Sequence, residues 1–314
     1  MISLPGKAAL FLLLCLPFVA LSCAKRGDVS RNGGNSGGES RPVVAVSILP
    51  QTWFVARIAG ERARTVVLVG PGQSPHSYEP SPRQMRELSQ AGVWVLSGAE
   101  FEISLLPKIQ RSFPGLKIID GAEGVSFRSL EESDSEENME QGIDRHTWLG
   151  SAAAKILAAH VRDALVFVDP AGEEMYDENC AALIGEIDAE FAALREELAF
   201  LKGRSVFVYH PSFGYFLDEF GIHQEAVESG GKEPGPRALN DLIEKAKREN
   251  AAAIFVQSQF PVSAAKTVAD AVGARVVNLD PLAPDWFANI RLMGDTLKEA
   301  AARDVLQSAV DADD

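Results

Sequence analysis

Between Asp169 and Gly203 the apolar residues Cys180, Ile184, Ile187, Phe191, Leu194, Leu198 and Leu201 recur every three or four positions, which sets a single stripe along one face of a helix. The other faces are charged. Asp169 can cap the start with Pro170 at the first helical position, acids crowd the opening turns, and Lys202 with Gly203 supplies a stop. The spacing predicts one unbroken helix, and from Pro170 to Leu201 it would be about 48 Å long. A rod of that length divides the chain into an N-terminal lobe over residues 43–168, a linking helix over 169–203 and a C-terminal lobe over 204–314.

Both lobes alternate strand and helix patterns. In the first, strands are expected at 43–49, 64–69, 93–96 and 116–119, with helices at 52–59, 81–91, 102–113 and 147–165. In the second, strands fall at 205–209, 223–227, 252–256 and 274–279, with helices at 213–220, 236–250, 262–272 and 285–308. Such alternation predicts an α/β fold: two lobes, each a roughly four-stranded parallel sheet flanked by helices, joined by one long backbone helix. Residues 131–140 hold six acids in ten positions without apolar support and read as a mobile surface loop.

The first 23 residues read as a secretion signal, with Lys7 as the positive start, an apolar core over 8–21, and small residues Ala20 and Ser22 ahead of Cys23. That core is too short to span a bilayer, which needs about 20 residues. Leu21-Ser22-Cys23 is similar to a bacterial lipoprotein signal, which makes Cys23 the expected site of lipidation, although Ala20 stands where Leu is usual. Residues 24–42, rich in Gly, Ser and Asn, read as a flexible tether spanning about 24 Å. The chain is thus expected to be secreted across the cytoplasmic membrane and lipid-anchored outside it. Once the signal is removed, Cys180 is the only unmodified cysteine, so neither an intrachain disulfide nor a cysteine zinc site can form.

A formal net charge of -14 argues against nucleic acid as a partner and suits a cation better. In an open α/β sheet, ligands bind outside the carboxyl ends of the strands. His76 lies in the loop after the second strand, His210 ends the strand at 205–209, Asp280 ends the strand at 274–279, and His146 stands at the mouth of a helix. Three imidazoles and one carboxylate, two from each lobe, make a tetrahedral set for a divalent metal. His160 and His223 read as ordinary helix and strand residues.

Four motifs carry a family resemblance. Residues 74–82, Ser-Pro-His-Ser-Tyr-Glu-Pro-Ser-Pro, resemble the first metal motif of the zinc and manganese solute-binding proteins of ABC importers, the ZnuA/TroA-like group. His146-Thr147-Trp148-Leu149 resembles the second, residues 209–216 the third, and Leu279-Asp280-Pro281-Leu282 the fourth, while Glu233-Pro234-Gly235-Pro236 matches a loop of the group. The resemblance implies His76, His146, His210 and Asp280 as metal ligands, a membrane permease and a cytoplasmic ATPase as partners, and no enzymatic activity. The chain departs from the pattern at Arg145 and Gly150-Ser151, where Asp-Pro pairs are usual, and at Gln257, where many relatives carry Glu.

Three imidazoles and a carboxylate suit Zn²⁺, with Mn²⁺ or Fe²⁺ as the alternative. If protein fills all four positions, no open site is left to activate water, so capture is expected rather than catalysis. Binding should weaken below about pH 6.5, where imidazole takes a proton. The chain is expected to act as a monomer. Two other classes fit less well: a mononuclear metallohydrolase with Glu79 as base, and a lipid-anchored surface adhesin.

Overall fold

The computed structural model describes residues 41–130, 142–228, 235–249, 251, 253–257, 259–260 and 262–312. The expected signal, the lipidation site Cys23, the tether up to residue 40, the acidic stretch 131–140 and the pair Glu233-Pro234 lie outside them.

The N-terminal sheet joins β1 (Val43–Ile48), β2 (Arg64–Val69), β3 (Val93–Leu96) and β4 (Lys117–Asp120) in the order β2-β1-β3-β4, all parallel. Helices α1 (Leu49–Ala59), α2 (Pro82–Leu88), α3 (Glu100–Ser112) and α4 (Ser151–Val168) accompany it. The continuous apolar runs of β1 and β3 follow from this arrangement, because a strand covered on both faces has no solvent side to mark with polar residues. The C-terminal sheet repeats the plan with β5 (Ser205–Val208), β6 (His223–Ala226), β7 (Ala253–Val256) and β8 (Arg275–Asn278) in the order β6-β5-β7-β8. Its helices are α6 (Gly214–Asp218), α7 (Pro236–Arg248), α8 (Val262–Val272) and α9 (Trp286–Ala312). The two sheets of four parallel strands are those expected from the alternation.

The linking element departs from the expected single helix. Pro170–Gly172 forms a 3₁₀ turn, α5 spans Glu173–Glu197, and a second 3₁₀ turn covers Ala199–Leu201. The α-helical part is about 38 Å long. Asp169 does not cap it, because its Oδ2 accepts from the Arg62 guanidinium at 2.7 Å and from the Tyr176 hydroxyl at 2.5 Å. The buried stripe is close to the one expected, except that Leu183 is fully buried and Ile184 only partly.

Helix α5 packs on α1 and α4 of the first lobe and on α9 of the second. At the α9 crossing, a Cβ on Gly294 would fall 2.3 Å from Leu194 Cδ2, so any larger residue would have to displace that buried leucine. One apolar core therefore runs through both lobes. Aromatic rings mark its course: Trp53 and Phe54 of α1 meet Trp286 of α9 at 5.6 and 5.1 Å, and Phe191 of α5 joins Trp286 to Phe216 of α6. A second, smaller cluster lies under α7 and α8, where Phe207, Ile254 and Val256 face away from the shared core.

Candidate metal centre

Each of the three candidate histidines is fixed through its backbone. His76 occupies a 3₁₀ turn, Pro75–Ser77, after β2, where its N–H donates to Ser74 Oγ. His210 follows β5, and buried Gln257 grips it twice, accepting from its N–H at 3.3 Å and donating to its carbonyl at 2.7 Å. The same Gln257 amide donates to Ser212 Oγ, which a carboxylate at this position could not do. His146 precedes the 3₁₀ turn Thr147–Leu149, and its N–H donates to Asp144 Oδ1 at 2.9 Å. That turn is tied to the second lobe, because Trp148 Nε1 donates to the Pro281 carbonyl and Trp286 Nε1 donates to the Trp148 carbonyl. Arg145 turns back to the first lobe and donates to the Gly98 carbonyl.

The three side chains converge. His76 Nε2 lies 3.0 Å from His210 Nε2, and His210 Nε2 lies 3.2 Å from His146 Nε2. One ligand atom from each falls within 4.8 Å of the others. Two nitrogens on a tetrahedral zinc ion, each bonded at about 2.0–2.1 Å, would be about 3.3 Å apart.

The outer nitrogens explain this orientation. His210 Nδ1 is 2.6 Å from Glu228 Oε1, His146 Nδ1 is 2.8 Å from Asp144 Oδ1, and His76 Nδ1 is 3.3 Å from Glu100 Oε2. A carboxylate can only accept, so the Nδ1 of His210 and of His146 donates to it, which leaves the Nε2 of those two rings free to face a cation.

The charge balance differs between the rings. Burial pushes His210 down to about 4, and the neighbouring His146 and His76 rings add to this against the pull of Glu228. Burial also opposes the cation of His76, yet the hydrogen bond and charge of Glu100 outweigh it and raise that imidazole above its ordinary value. Asp144 would be raised by burial, but His146 and Arg128 hold it below the usual carboxylate range.

Asp280 stands apart from this cluster. Its Oδ1 accepts from Gln259 Nε2 at 3.0 Å and from the Leu282 N–H at 2.9 Å, and among the described residues the group of converging ligand atoms holds the three histidines alone. Beside them is a cavity of about 20 Å³, walled by Pro75, Trp148, Phe260 and Pro281. Phe260 stacks on the His210 ring at 4.7 Å. The space holds about one water-sized particle. Sequence reasoning missed Glu100, Asp144 and Glu228. Glu100 and Glu228 follow β3 and β6 by a few residues, so the strand-end rule that found His210 also points to them.

The description "Zinc-uptake complex component A periplasmic", ZnuA, matches residues 44–300. The chain belongs to the ZnuA family. A crystal structure of ZnuA superposes with a TM-score of 0.76 at 33% identity, covering 82% of this chain and 98% of that one. The zinc-binding lipoprotein AdcA of Streptococcus pneumoniae is 27% identical over 89% of this chain, which spans only 54% of that lipoprotein's length. The manganese-binding lipoprotein MntA of Halalkalibacterium halodurans is 24% identical over 85% of this chain and 86% of its own. ZnuA-family membership agrees with the resemblance drawn from the four motifs.

Proposed function

We propose that this chain is the extracytoplasmic solute-binding component of an ABC importer, which captures Zn²⁺ between its lobes and hands it to a membrane permease driven by a cytoplasmic ATPase. The observation that carries this reading is the convergence of three Nε2 atoms, each ring with a carboxylate beside its opposite nitrogen. An all-imidazole cluster favours Zn²⁺ over the harder Mn²⁺. The two named lipoproteins divide between these metals, so both belong in the test. Asp280 is proposed as the fourth ligand, recruited by turning its carboxylate from Gln259 to the metal. With protein groups at four positions no site remains for an activated water, and the cargo leaves unchanged. Acylation of Cys23 would keep the chain at the membrane surface, close to the permease.

The test is equilibrium dialysis of the protein against zinc and manganese together, followed by elemental analysis, with His76→Ala, His210→Ala and Asp280→Ala alongside. The expected result is about one equivalent of zinc in the parent, little in the histidine variants and weakened retention in Asp280→Ala, with release of zinc from the parent as pH falls from 7 to 5. A parent that takes up neither metal, or histidine variants that retain it, would overturn the reading.

A further inference from the structure

A partly buried arginine stands behind one of the three imidazoles. The Nη1 of Arg128 donates to Asp144 Oδ2 at 2.9 Å, while its Nε donates to Asp218 Oδ2 at 2.9 Å. The Asp144 side chain is 0% exposed and that of Arg128 14%. Asp144 thus divides its two oxygens, Oδ1 for the N–H and Nδ1 of His146 and Oδ2 for the guanidinium. Backbone and phenol close the assembly: the Arg128 N–H donates to Tyr215 Oη, Tyr215 Oη donates to the Asp144 carbonyl, and the Asp144 N–H donates to the Arg128 carbonyl.

A carboxylate sealed from water is costly without a cation beside it, and removing one partner of such a pair leaves the other free to turn toward whatever solvates it. Asp144 cannot turn without releasing His146 Nδ1. Arg128 also has a place reserved for it. A Cβ on Gly214, the first residue of α6, would lie 1.8 Å from Arg128 Nη1 and 2.3 Å from its Cζ. Because the obstructed atoms are the far end of a long side chain, an alanine there displaces the guanidinium and leaves the backbone in place.

We infer that Arg128 is a positioning residue for His146, acting through Asp144, and that position 214 lacks a side chain so that the guanidinium can lie across it. The effect on metal affinity rests on the capture reading given above; the effect on the His146 ring does not.

The experiment compares the full chain with Arg128→Met, Arg128→Lys, Gly214→Ala and the double variant Arg128→Met with Gly214→Ala. Nitrogen NMR of the His146 ring in metal-free protein reads the tautomer, and competition with a fluorescent chelator reads zinc affinity. In the parent the His146 proton should sit on Nδ1; in Arg128→Met and in Gly214→Ala the two tautomers should mix, and zinc affinity should fall about ten-fold. Arg128→Lys, which keeps the charge but loses the second donor, should fall between. The double variant should bind no more weakly than Arg128→Met, because a guanidinium already gone cannot be displaced. If Arg128→Met fails to fold, Gly214→Ala carries the same comparison. An unchanged tautomer in the single variants, or losses that add in the double, would overturn the inference. A parent that binds no zinc refutes the capture reading alone, and the tautomer comparison still decides this one.

Discussion

Each imidazole of the cluster does two jobs with two nitrogens, and the carboxylate on the outer one decides what the inner one can do. Glu228 is the clearest case, since it is 3% exposed and reaches His210 Nδ1 at 2.6 Å. Glu228→Gln keeps the shape but removes the charge and offers an amide that can present either a donor or an acceptor, so the tautomer of His210 is no longer forced. Zinc affinity should fall 10- to 100-fold with little change in melting temperature of the metal-free protein, as measured by competition titration and calorimetry. An unchanged affinity would mean that His210 is oriented by Gln257 and Phe260 alone. The histidines were legible because histidine is scarce in this chain and three of the five stand at strand ends or a helix mouth. Their carboxylate partners were not, because 44 acidic residues give no contrast until a fold selects three of them. Gln257 was read as the loss of an acid; in the structure it holds the backbone of a candidate ligand.

The corner between α4 and α5 shows what local pattern does and does not dictate. Asp169 followed by Pro170 has the sequence form of a helix cap, and a tertiary partner took the carboxylate instead. The hydrogen bond from Tyr176, with the Arg62 guanidinium beside it, holds Asp169 below its ordinary value of 3.8. A depressed carboxylate contributes stability that is complete above its unfolded value and disappears as pH falls through its folded one. Asp169→Asn should therefore cost about 1 kcal/mol at neutral pH, and the gap between variant and parent should close below about pH 3.8 in chemical denaturation. A gap that stays constant down to pH 2 would assign the loss to packing. Strand and helix positions were otherwise readable to within a few residues, because apolar runs of four to six and stripes of period three to four differ sharply along this chain. The ends of the linking helix were not readable, since Arg62 lies over a hundred residues from Asp169 in sequence.

At the scale of the molecule, the two sheets share the larger of two apolar clusters. Trp286 is 1% exposed, touches Trp53, Phe54 and Phe191, and donates to the carbonyl of Trp148 beside the histidine cluster. Trp286→Ala should cost about 3–5 kcal/mol and lower a single calorimetric transition, because the cavity it leaves belongs to both lobes. Two separated transitions, with only one displaced, would show that the lobes unfold independently. The shared core opposes wide separation of the lobes, which would expose Trp286 and its ring neighbours to water. The two-sheet plan was foreseen from alternation alone, whereas the aromatic seam was not, because its rings come from four distant helices. The cavity beside the histidines, at about 20 Å³, has a consequence for what the chain can respond to. On the capture reading proposed above, an ion arriving with an amino acid or citrate still attached would shed that escort at the rim, so occupancy would track the unchelated pool of metal in the surroundings and stay indifferent to the much larger complexed one.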